Sequence, residues 1–131
     1  MPSHTITLRV RYADTDQMGI VYYAKYLEYF EVARTEMLRS MGLPYREIEE
    51  KGFALPVASA SIKYYKGALY DDELHVTATI SPSDSPKIDI LYSIKRGSEV
   101  IAEGETKLVF VDKLSGRPVR APQFYLDAIT K

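Results

Sequence analysis

The chain contains no cysteine, which excludes disulfides, thiolate nucleophiles and thiolate metal sites together. It has two histidines, His4 and His75. Neither lies near carboxylates at a workable ligand spacing, and His75 alternates with Leu74 and Val76, toward the polar side of a strand-like run, so no metal site is expected. G-x-S-x-G, G-x-x-x-x-G-K and G-x-G-x-x-G are all missing. Nucleophile-elbow hydrolysis and glycine-loop phosphate binding thus lose their usual sequence support. A net charge of −1 offers no general attraction to nucleic acid or anionic lipid. The eleven tyrosines fall mostly at amphipathic positions and read as packing rather than base stacking. No apolar run approaches the ~20 residues of a membrane span. The start "MPSHTITLRV" has neither a basic region nor an apolar one, which makes a cytoplasmic location the expectation.

What is there reads as one globular domain over residues 1–131. "TITLRVRY" alternates from Thr5 to Tyr12, with Ile6, Leu8, Val10 and Tyr12 on one face, as a half-buried strand does. After Gly19, "IVYYAKYLEYFEVARTEMLRSMG" runs without proline to Gly42 and predicts one long helix. Its apolar arc holds Tyr23, Tyr26, Leu27, Phe30, Ala33, Met37, Leu38 and Met41. A short helix is expected after Pro44. Strands are then expected over 56–65, 73–80, 87–95 and 99–111, separated by turn-rich "KGALYDD", "SPSDSP" and "RGS". A last helical turn or two is expected within 121–131. Nothing alternates βαβ and the connections are short. The expectation is an α+β domain in which a single antiparallel sheet of about five strands curls around one long central helix.

Two residues stand out at the junction of the first strand and the helix. Asp14 and Asp16 sit where a helix start offers unpaired amides and the positive end of its dipole. Short acids in such a place act as caps or turn formers. The same geometry also serves acyl transfer, in which amide donors hold a developing oxyanion while a carboxylate attacks the carbonyl or activates water. Thioesters suit such a site, because a thiolate with a conjugate pKa near ~8.5 leaves with little help from a general acid. Arg34 projects into the apolar arc, where it either pairs with Glu31 or snorkels at the rim of the core. Both residues are taken as support for the site.

The stretch "YADTDQMGIVYYAKYLEYFEVAR", residues 12–34, resembles the signature of the hotdog-fold acyl-CoA thioesterases, in the 4-hydroxybenzoyl-CoA thioesterase group and its YbgC-like branch. "KGALYDDELHVTATI" and "IAEGETKLVFVDKLSGRPVRAP" look like the family's later strands, so the likeness covers nearly the whole chain. The resemblance implies a hotdog fold and a homodimer, often paired into a tetramer, with active sites at the subunit interface. It also implies hydrolysis of an acyl-CoA thioester to a carboxylic acid and CoA without a further cofactor. Asp16 takes the catalytic position, as nucleophile or general base, and the Tyr23 backbone amide, near Gly19, takes that of the oxyanion donor. Asp14 becomes the residue that holds the loop. Many relatives have histidine where this chain has Tyr23 and asparagine where it has Lys25, which bears on acyl preference and leaves an amide donor intact. Lys63, Lys66, Lys95 and Arg96 are the cations placed to meet CoA phosphates. Alternatives are a hotdog dehydratase, disfavoured because no histidine falls in this stretch, and a non-catalytic acyl-thioester-binding or scaffold protein.

Overall fold

Alternating side chains at the N-terminus form β1 (Ser3–Arg9), in a computed structural model that describes residues 1–130. The strand starts and ends earlier than the alternation suggested. His4 lies within it, and Tyr12 leaves the expected buried face for a 3-10 turn (Tyr12–Asp14), where its ring is exposed. The long helix, α1 (Lys25–Ser40), is shorter than expected. Residues 20–24 are drawn into backbone pairs, with bridges Thr15 to Val21 and Ile20 to Leu69 and the Tyr22 amide on the Asp14 carbonyl at 2.8 Å. Amides and carbonyls spent on those partners cannot join a helical ladder. Tyr23 therefore precedes α1, and its side chain is exposed rather than in the core; Leu27 is also exposed, while Tyr29 is buried in its stead.

Beyond α1 come α2 (Tyr45–Glu50), β2 (Phe53–Ala54), β3 (Val57–Tyr64), β4 (Glu73–Ile80), β5 (Lys87–Arg96), β6 (Glu99–Val109), β7 (Val111–Asp112) and α3 (Gln123–Ile129). The expected strand over 99–111 breaks at Phe110, which turns inward as a buried side chain, and β7 pairs instead with β2. Lys131, in the expected terminal helix, lies outside the described residues.

Five strands make one antiparallel sheet in the order β1-β4-β5-β6-β3. Leu74, Val76, Ala78 and Ile80 of β4 and Ile88, Ile90, Tyr92 and Ile94 of β5 alternate inward, and all eight are buried. Against them α1 lays Tyr26, Phe30, Ala33 and Met37, spaced three and four apart as one helical face requires. The Phe30 ring stacks on Tyr92 with centroids 4.3 Å apart. Beneath it Gly104 has no side chain for a steric reason: a Cβ there would stand 2.4 Å from the Phe30 ring and 2.7 Å from the Ser61 carbonyl. The sheet can wrap the helix this closely because β6 is bare at that point. β3, at the edge, is exposed on both faces except at Ile62.

Candidate active site

Asp14 and Asp16 lie on two sides of the segment that joins β1 to α1, and the structure treats them differently. Asp14 is buried. One of its carboxylate oxygens, Oδ2, accepts the Tyr29 hydroxyl at 2.8 Å and the Arg11 amide at 3.1 Å, while Oδ1 accepts an Arg11 guanidinium N–H at 3.1 Å. The Lys25 ammonium stands 4.0 Å away. Burial pushes the Asp14 carboxyl up, but the bonds from Tyr29 and Arg11 outweigh it and hold the group below its ordinary value. Burial and the same bond push the Tyr29 phenol up. Neither Tyr29 nor Arg11 was singled out from sequence, because what joins them to Asp14 is folding across 15 residues in one case and an exposed side chain in the other.

Asp16 opens a tight turn. Its Oδ1 accepts the Met18 amide at 2.8 Å, its carbonyl accepts the Gly19 amide at 3.0 Å, and its own amide donates to the Ile20 carbonyl at 2.9 Å. Gly19 has φ +82°, a left-handed conformation that glycine adopts without the strain a Cβ would bring. Asp16 is only half-buried, and Oδ2 has no hydrogen-bond partner among the described residues. It lines a cavity of about 350 Å³ together with Tyr23, Tyr26, Tyr64, Tyr65 and Lys66, over Ile20 and Val21. The Val21 amide donates to the Ala68 carbonyl at 2.9 Å and the Ala68 amide to the Tyr26 hydroxyl at 3.3 Å, which draws the segment after β3 against the segment before α1. Tyr23 lines the same cavity, and its amide donates to no protein acceptor among the described residues. Asp16, with one carboxylate oxygen unpartnered, and Tyr23, with an unpartnered amide, thus line one concave space.

Other expected site residues fall elsewhere. Arg34 does not pair with Glu31 among the described residues: its Nη1 donates to the Tyr92 hydroxyl at 3.1 Å, and Tyr92 shares a 2.6 Å hydrogen bond with Thr106. The partner comes from β5 because the inward projection of Arg34 carries its guanidinium across to the sheet, while Glu31 is exposed. Both residues line a different, smaller cavity of about 90 Å³, between α1, the sheet and α3, that shares no wall with Asp16. Of the cations, Arg96 is already committed, with Asp72 at 2.7 Å and Glu99 at 2.5 Å, and those hydrogen bonds raise its pKa. Lys66 pairs with Glu99 at 2.5 Å while bordering the Asp16 cavity. Lys63 lies 5.7 Å from the Tyr65 ring centroid, and Lys95 is exposed on β5. Tyr26, Tyr64 and Tyr65 were missed as site residues; the sequence signal was "KYYKG", where two adjacent tyrosines break the strand alternation. Among the described residues no group of three or more metal-ligating side chains occurs. No helix among them is long and apolar enough to cross a membrane.

Comparison with known proteins agrees with this architecture. The sequence pattern of the thioesterase-like superfamily matches residues 10–129. YneP of Bacillus subtilis is 35% identical over 92% of this chain and 88% of its own length. The acyl-CoA thioesterase YbgC of Haemophilus influenzae is 34% identical, covering 88% of this chain and 86% of its own. Among solved structures, the 1,4-dihydroxy-2-naphthoyl-CoA thioesterase Slr0204 from Synechocystis superposes with a TM-score of 0.90 at 29% identity, over 98% of this chain and 96% of that one. With its helix-wrapping sheet and this near full-length similarity, the chain belongs to the thioesterase-like superfamily of hotdog-fold proteins, in its YbgC-like branch.

Proposed function

We propose that this protein hydrolyses an acyl-CoA thioester to the carboxylic acid and CoA, in the cavity bordered by Asp16 and Tyr23. The observation that carries the reading is that Asp16, whose Oδ2 is unpartnered, and Tyr23, whose amide is unengaged, line one cavity just before α1. The amide stabilises the thioester oxygen as it gains charge. Asp16 then acts in one of two ways. As nucleophile it forms a mixed anhydride and releases the CoA thiolate, and water cleaves the anhydride. As general base it takes a proton from the water that attacks the carbonyl carbon, and the tetrahedral intermediate then breaks its C–S bond to expel the CoA thiolate. Single turnover in ¹⁸O-water identifies the nucleophilic route when water attacks the Asp16 carboxyl carbon of the anhydride, since label then enters Asp16 and an enzyme oxygen leaves with the acid; attack at the acyl carbon labels the acid by either route, and trapping of the anhydride then tells them apart. Lys63, Lys66, Lys95 and Arg96 are the cations offered to CoA phosphates, of which Lys66 and Arg96 would have to give up ion pairs with Glu99 to reach one.

The working unit in this reading is a homodimer, alone or paired into a tetramer. Its support is β3: an edge strand of small and apolar residues, "VASASI", exposed on both faces, leaves backbone donors and acceptors ready for a second copy. β3 runs directly into Tyr64, Tyr65 and Lys66, so pairing there would place the second copy beside the cavity.

The test is a panel of short, long and aromatic acyl-CoAs followed by free-thiol release, with the wild type and Asp16→Asn. Wild-type turnover of at least one thioester and a loss of roughly 100-fold or more in the variant are expected. One observation favours a second reading: the Asp16 Oδ1 bond to the Met18 amide is the geometry of a turn-forming aspartate. Binding of acyl-CoA with no turnover would select that non-catalytic, thioester-binding alternative.

A further inference from the structure

The Tyr64 hydroxyl donates to the Tyr23 carbonyl at 3.0 Å, bridging the last residue of the edge strand and the turn in front of α1. We propose that Tyr64 is a positioning residue for thioester cleavage: by holding the carbonyl on the C-terminal side of Tyr23 it fixes the peptide that follows the donor peptide, and so the backbone angles at Tyr23 that aim its N–H as an oxyanion donor. The inference rests on the thioesterase reading of that cavity.

The turn has few other restraints at this point. The Tyr22 amide is held by the Asp14 carbonyl, and the Tyr22 carbonyl by the Lys25 amide, each at 2.8 Å. The Tyr22 carbonyl and the Tyr23 N–H belong to one peptide, so Lys25 holds the donor peptide itself, and the Tyr23 carbonyl, in the next peptide, is the group left to be held. The helical ladder passes that carbonyl by, because the Leu27 amide, which a regular helix would direct to Tyr23, donates to Ala24 at 3.2 Å. Tyr64 therefore supplies the hold that the helix does not.

Tyr64 is built to do this without moving. Its backbone is registered opposite Ala102 in the β3–β6 ladder. Its ring leans on Tyr26 with centroids 5.4 Å apart, and Tyr26 is itself buried and bonded to the Ala68 amide. The adjacent Tyr65 cannot take over, since its hydroxyl is spent on Glu103 at 2.8 Å. Strand pairing, a ring contact with Tyr26 and one hydroxyl thus link the sheet to the peptide that follows the donor peptide. Donors preorganised in this way need not reorient as charge develops on the thioester oxygen.

The test is Tyr64→Phe, which keeps the ring and removes the hydroxyl, with Tyr70→Phe as a control outside the cavity, assayed on the best acyl-CoA of the panel. Tyr64→Phe is expected to lower kcat about three- to ten-fold, the range one neutral hydrogen bond carries, with KM within about two-fold of the wild type. Its Tm should stay within about 2 °C, because Tyr64 is 45% exposed and water can replace the hydroxyl at the Tyr23 carbonyl. The Tyr23 amide resonance should shift in Tyr64→Phe and stay in place in Tyr70→Phe. Wild-type kcat in Tyr64→Phe, a loss carried by KM, or an equal loss in Tyr70→Phe would each overturn the assignment. A wild type that cleaves no thioester removes the thioesterase reading itself, and this inference with it.

Discussion

Asp14 and Asp16 are two carboxylates two residues apart, and the fold gives them opposite surroundings. Asp14 is 2% exposed and receives three hydrogen bonds, one from a tyrosine on α1. Asp16 is half-buried, spends one oxygen on its own turn and leaves the other at a cavity wall. A carboxylate whose acceptor sites are filled by the protein has no capacity left for substrate; one with an oxygen to spare does. The difference teaches that chemistry in an acidic pair is read from unspent hydrogen-bonding capacity, not from proximity to a helix end.

The largest expected effect is on Asp16. Asp16→Asn retains an oxygen for the Met18 amide, so its Tm should lie within about 2 °C of the wild type while kcat/KM for thioester hydrolysis falls roughly 100-fold or more. A large drop in Tm with activity retained would reverse the roles of the two acids.

Asp14→Asn should do the converse. Replacing a buried carboxylate that accepts from Tyr29 and Arg11 should cost about 2–3 kcal/mol and lower Tm by roughly 6–12 °C in thermal melts. The pH dependence follows with it. Because the folded Asp14 carboxyl lies below its ordinary value, its contribution to stability is present above the unfolded value near ~3.9 and is lost as pH falls through the folded one. The Tm advantage of wild type over Asp14→Asn should therefore shrink as pH drops below about 4. A gap that persists unchanged into that range would mean that charge has no part in the role of Asp14.

Two smaller changes sharpen the same comparison. Tyr29→Phe removes one donor and leaves Arg11 in place, and should cost about 1–2 kcal/mol by chemical denaturation. Arg11→Ala removes an exposed guanidinium while the Arg11 amide still binds Asp14, and should cost about 0.5 kcal/mol or less. An equal cost for the two would show that the buried phenol has no special hold on Asp14.

Much of the fold was legible because its side-chain periods are clean. β4 occupies Glu73–Ile80 as its alternation predicts, and β5 extends one residue beyond its expected end. Phe30, Ala33 and Met37 fall on the buried helical face as their spacing requires. Misreadings cluster where backbone groups found partners from distant sequence. Residues 20–24 have a helical pattern, yet their bonding to Thr15, Leu69 and Asp14 keeps them out of α1. Arg34 was left between a pairing with Glu31 on its own helix and snorkelling at the rim of the core, and its inward direction carried it to Tyr92, 58 residues away. Of the cavity walls, Asp16 and Tyr23 were named through the family signature and Lys66 as a cation. Tyr26, Tyr64 and Tyr65 were not, because they read as packing until the segment after β3 closes against the one before α1.

The sequence by itself determined the elements and the family: alternation and helical spacing are local properties, and residues 12–34 carry the signature without reference to anything else in the chain. It also excluded thiolate chemistry, since a missing residue type cannot be restored by folding. The resemblance assigned Asp14 and Asp16 different roles, and only the tertiary structure gave the physical difference between them. Hydrogen-bond satisfaction and burial depend on which distant groups arrive, and Tyr29 arrives at one carboxylate while Tyr64 arrives at the peptide beside the other's cavity.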